Sequence, residues 1–100
     1  MRYQTPDLEG NSIAYKGRRF WVIELAEGGS FQNLPRAEFG EFVVFDRSDN
    51  AAIATVRVRP NGKFCVKTTT MFGSCGSADT LKEAARLADE MVNEEVRASS

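Results

Sequence analysis

The stretch IATVRVRPNGKFCVKTT, residues 53–69, decides the fold. Ala54, Val56 and Val58 alternate with Ile53, Thr55, Arg57 and Arg59, and after the turn Phe64, Val66 and Thr68 alternate with Lys63, Cys65, Lys67 and Thr69. A period of two puts successive side chains on opposite faces, so this is a hairpin with one apolar and one polar face. The turn chooses the register. A two-residue Asn61-Gly62 loop sets Val58 opposite Cys65 and Val56 opposite Lys67, which mixes the faces. A three-residue loop, with Pro60 fixing φ and Gly62 in the left-handed region, sets Val58 opposite Phe64 and Val56 opposite Val66. The second arrangement keeps the apolar side chains together and is the one expected.

A helix follows the hairpin. Thr80 and Glu83 have the spacing of a capping box, in which each side chain satisfies a free N–H of the first turn. Leu81, Ala84, Ala85, Ala88, Val92 and Val96 form an apolar stripe at helical spacing, and its alanines allow close approach to the sheet. Lys82, Glu83, Arg86, Glu90, Asn93, Glu94 and Arg97 take the solvent side.

Upstream, Phe20 to Leu25 reads as a strand with Trp21, Ile23 and Leu25 on one face and Phe20, Val22 and Glu24 on the other. Both faces are apolar near Trp21, so this strand is expected to be covered on both sides. Phe42 to Phe45 is a second continuous apolar strand, and Arg47 to Asn50 turns the chain into the strand that begins near Ala51. Residues 1–12 read as a loosely ordered arm, and Tyr15 to Arg19 as a turn. Residues 31–39 are ambiguous, with one helical turn over Pro35 to Phe39 closed by Gly40. The expected fold is a single α+β domain over residues 1–100: an antiparallel sheet of about four strands with one C-terminal amphipathic helix packed on one face. Phe20, Phe31, Phe39, Phe42, Phe45 and Phe72, with Trp21, Tyr15 and Phe64, exceed what one helix can cover. The arm, the 26–40 segment or another chain, including a second copy in a homodimer, must bury the remainder.

The charge is unevenly spread. The chain carries net −1, yet residues 51–70 hold Arg57, Arg59, Lys63 and Lys67 with no acid. Residues 1–50 have six basic and eight acidic side chains, and residues 71–100 three and six. A basic patch on the polar face of the hairpin therefore sits in an acidic chain. No run is apolar and long enough to cross a membrane and no secretion signal opens the chain, so a cytoplasmic protein with reduced thiols is expected.

The chemistry-bearing residues are few. There is no histidine, which removes the commonest general base and the commonest zinc ligand. Cys65 and Cys75 alone cannot close a structural zinc site, and the carboxylates show no Mg²⁺ or Ca²⁺ spacing. No cofactor, no metal and no catalysis are expected. Gly73-Ser74-Cys75-Gly76-Ser77 reads as a flexible connection entering the helix; the alternative is an anion cradle at the helix N-terminus with a reactive Cys75.

Val56-Arg57-Val58 before Pro60-Asn61-Gly62-Lys63, then Thr80-Leu81-Lys82-Glu83-Ala84-Ala85 with Asp89, resembles the end of plant ethylene-response DNA-binding domains and of the arm-binding domains of tyrosine integrases. The resemblance implies a sheet face that enters the major groove through Arg57, Arg59, Lys63 and Lys67. In size and layout the chain is also similar to small inhibitors and adaptors carried by phages and other mobile elements, including anti-CRISPR proteins. Two functions follow as expectations. The first is a non-catalytic interaction protein that occupies a surface on a protein partner, as an inhibitor of a nucleic-acid-associated complex does. The second is a nucleic-acid-binding domain using the same four cations.

Overall fold

The computed structural model describes residues 3, 5, 6, 8, 10–26, 31 and 41–99. They form β1 (Ser12–Lys16), β2 (Phe20–Glu24), β3 (Phe42–Asp46), β4 (Ala51–Val58), β5 (Phe64–Thr68), β6 (Cys75–Ala78) and α1 (Leu81–Ser99). The six strands pair in chain order, each antiparallel to the one before. The class is the α+β arrangement the sequence predicts, with six strands where about four are expected. One addition is β1, taken for arm and turn because only Ile13 and Tyr15 are large and apolar, and a bulge between them breaks their alternation. The other is β6, taken for a flexible loop because Cys75, Gly76, Ser77 and Ala78 have weak strand propensity. Its backbone is nonetheless paired along β5, from Phe64 opposite Ala78 to Lys67 opposite Cys75. The glycine-rich stretch is thus not a cradle at the helix start. Of the 26–40 segment only Ala26 and Phe31 are described, so the turn expected over Pro35 to Phe39 lies outside the described residues.

The hairpin has the expected register, with Val58 opposite Phe64 and Val56 opposite Val66. Gly62 has φ 82°, and its N–H donates to the Arg59 carbonyl at 2.9 Å while Arg59 N–H donates to the Lys63 carbonyl at 2.7 Å. One residue departs from the pattern. The register shifts so that Val44 faces Ala54 but Phe45 faces Ala52, which leaves Ile53 as the extra residue of a bulge. Ile53 therefore packs with the helix-side cluster rather than on the polar face.

The helix face of the sheet supplies Val22, Val44, Ala54, Val56, Val66 and Ala78 to a core closed by Ala84, Ala85, Ala88 and Met91. The buried stripe is rotated from the expected one: Met91 and Glu95 are buried, Val92 is half-buried, and Val96 is exposed. Gly76 makes this fit possible. A Cβ there would lie 2.8 Å from Leu87 Cδ2, so a larger residue would force the Leu87 side chain to move. The helix start follows the capping box with a displaced second arm. Glu83 N–H donates to Thr80 Oγ1 at 3.1 Å, while the Glu83 carboxylate accepts from Asp79 N–H, not from Thr80 N–H.

The opposite, outer face holds a second core on β2 and β3. Trp21, Ile23, Val43 and Phe45 are buried there with Phe31, whose ring meets Phe45 edge-on at 5.6 Å, and Leu8 of the arm packs against them. The two-sided coverage expected for the Trp21 strand is what the structure has. The described helix is not long and apolar enough to cross a membrane.

Candidate functional site

On β4–β6 the outer face is a grid of two rows. Thr55, Lys67 and Cys75 lie side by side, and next to them Arg57, Cys65 and Ser77. Strand alternation places them there: each is the odd partner of an apolar residue turned to the helix. Arg57 and Lys67 are exposed. Arg59, just beyond β4, joins the same face, its guanidinium donating to Cys65 Sγ at 3.3 Å. Lys67 runs past Gly73, where an added Cβ would lie 3.3 Å from its Cε. Three of the four expected site residues, Arg57, Arg59 and Lys67, are thus brought together. Lys63 is placed differently. Its ammonium pairs with Asp79 at 2.9 Å, and that hydrogen bond raises its pKa while neutralising its charge toward an outside anion.

Two further cations share this face and have no local signature in the sequence. Lys16 lies over the Trp21 ring at 5.1 Å and Arg47 at 4.5 Å. They are 31 residues apart, and only the β1–β2–β3 pairing joins them through the indole. Among the described strand residues, the outer face bears Lys16, Arg57 and Lys67 and no carboxylate, while α1 carries Glu83, Asp89, Glu90, Glu94 and Glu95 against Lys82, Arg86 and Arg97. Among these described residues the charge is two-sided.

Cys65 and Cys75 are both free thiols. They occupy diagonal positions on neighbouring strands, roughly 7–8 Å apart, beyond the reach of a disulfide without backbone movement. Among the described residues no three His, Cys, Asp or Glu side chains come together as a metal site.

Among the described residues two carboxylates are perturbed, both away from this face. Burial pushes Asp46 up, but the paired bonds from Arg19 and those from the Ser48 hydroxyl and N–H outweigh it, and the net direction is down. Glu95 is held below the usual carboxylate range by the Ser74 hydroxyl, then by Thr70 and Thr68, against the opposing effect of burial. Asp46 thereby anchors the β1–β2 turn to β3, and Glu95 anchors the β5–β6 loop to α1.

No protein-family model, curated protein or solved structure matches this chain. The strand-turn-strand-helix layout that resembles the ethylene-response and integrase domains is interrupted here by β6, which lies between the hairpin and the helix.

Proposed function

We propose that the protein is a non-catalytic interaction module that docks the outer face of β4–β6 against an acidic surface of a protein partner. One observation carries this reading. In a chain of net charge −1, Arg57, Arg59 and Lys67 share a strand face on which the described strand residues include no carboxylate, and no described element covers it. Charge of one sign on a flat platform steers encounter and rejects partners of the same sign. Docking by occupancy also suits a small inhibitor or adaptor of the kind mobile elements carry, since it needs a surface and no reaction.

The same cations suit a phosphate backbone, so the test separates the two partners. Wild type and Arg57→Glu/Arg59→Glu are titrated with mixed-sequence DNA and RNA over a salt series, beside a captured protein partner. A protein-docking face gives weak nucleic-acid binding in both forms and loss of the protein partner in the variant. Tight nucleic-acid binding by wild type, with a salt slope that falls by about one unit for each cation removed, would overturn the reading.

A further inference from the structure

Ala85, Asp89, Val92 and Val96 follow one another at helical spacing and form a stripe along one flank of α1. Its N-terminal half borders a groove of about 620 Å³ whose far wall is Tyr15, Arg18 and Phe20 of the β1–β2 hairpin. Its C-terminal half borders a smaller groove of about 110 Å³ walled by Met71 and Phe72 of the β5–β6 loop. The two grooves follow one another along this flank of α1, on the helix side and away from the basic sheet face.

The C-terminal end is apolar and bare. Met71 is 95% exposed, Phe72 55% and Val96 60%. The loop that carries Met71 and Phe72 is nevertheless firmly held. Glu95 accepts from Thr68, Thr70 and Ser74; Thr69 bonds the backbone of β4 through both its N–H and its hydroxyl; Gly73 N–H bonds the Thr70 carbonyl. A buried carboxylate thus fixes a loop that shelters neither of its own large side chains. A wall ordered in advance loses little entropy when something packs against it.

The N-terminal end favours negative charge. Its carboxylates are already engaged, Glu83 with Asp79 N–H and Asp89 with the Asn93 amide. Arg19 is committed to Asp46, and Arg86 to Glu90. The Arg18 guanidinium and the Lys82 ammonium have no partner among the described residues, and both line the groove.

We propose that these two grooves act together as one channel that docks an extended segment of a partner polypeptide, acidic at the end that meets Arg18 and Lys82 and bearing a large apolar side chain at the end that meets Phe72 and Val96. Lys82 to Val96 is about 21 Å along the helix at 1.5 Å per residue, which roughly six or seven residues of extended chain span. Tyr15 and Phe20 offer the middle of the segment an aromatic wall.

Panning a phage-displayed random peptide library against the full-length chain tests this. The enriched peptides should carry Asp or Glu roughly six residues from Leu, Phe or Met. A synthetic consensus peptide should lose affinity at least about tenfold on Phe72→Ser and again on Arg18→Glu/Lys82→Glu, each at unchanged melting temperature. Arg57→Glu/Arg59→Glu should leave it unchanged, which separates this channel from the sheet face. Absence of enrichment, enriched peptides without that pattern, or an affinity that responds at one end of the channel only would overturn the proposal.

Discussion

The outer face of the sheet has two halves built on one continuous backbone, and they end in opposite states. On β2 and β3 it presents Trp21, Ile23, Val43 and Phe45, sealed under Phe31. On β4–β6 it presents Arg57, Lys67 and Cys75 to water. The difference lies in the side chains alone. Each large apolar residue buried contributes about 1.5–3 kcal/mol, so an apolar cover over β2 and β3 is favourable. A cover over Arg57 and Lys67 costs several kcal/mol per desolvated charge unless it brings carboxylates of its own. The first half favours an apolar cover; the second disfavours any cover that brings no negative charge.

The comparison breaks first at Phe45. It is fully buried in the covered half, so Phe45→Ala should cost about 3–5 kcal/mol in chemical denaturation. A loss below about 1 kcal/mol would show that the covered half is no core. Phe64, by contrast, is only half-buried, so Phe64→Ala should cost clearly less, about 1–3 kcal/mol. On the helix face, Gly76→Val must displace the Leu87 side chain, at about 1–3 kcal/mol; unchanged stability there would mean that the Leu87 tip moves aside at no cost.

Acid sharpens the picture next. Asp46 and Glu95 both have lowered pKa values in the folded state, so the folded chain binds fewer protons than the unfolded one. Their stabilisation is complete above the unfolded value of about 4 and is lost as pH falls through the lower folded value. Melting temperature should therefore drop on acidification below pH about 4, and Glu95→Gln should flatten that drop. An unaltered acid slope in this variant would remove Glu95 from the account. The smallest effect belongs to the bare half. Arg57→Glu/Arg59→Glu, judged by denaturation midpoint, should shift stability by no more than about 0.5 kcal/mol per residue, since neither side chain is part of a core.

What could be read from the sequence follows the same division. Where polarity alternates strictly, as in Val56-Arg57-Val58 and Phe64-Cys65-Val66-Lys67, the faces, the register and the Arg57, Arg59, Lys67 grouping are legible in the sequence. The capping residues Thr80 and Glu83 were legible too. β6 was not, because Cys75-Gly76-Ser77-Ala78 carries no apolar pattern and is held by backbone pairing to β5. Ile53 changes face through a bulge that depends on β3. Lys63 pairs with Asp79, sixteen residues away. Glu95 falls in neither helix face read from the sequence; its partners Thr68, Thr70 and Ser74 stand 21 to 27 residues earlier. Each of these depends on a partner that folding brings near and that no local window contains.

Cys75 offers the most direct test of the central claim, because it is an exposed thiol within the bare basic half. A photo-crosslinker is attached there in a Cys65→Ser chain, and in parallel at Glu90→Cys on the opposite side in a chain lacking both native thiols. Crosslinking is then carried out in host lysate with and without nuclease. The account predicts one protein adduct with an acidic surface, formed from Cys75 but not from position 90, resistant to nuclease and abolished by Arg57→Glu/Arg59→Glu. Adducts from Cys75 to nucleic acid alone, or a protein adduct indifferent to the charge reversal, would contradict it.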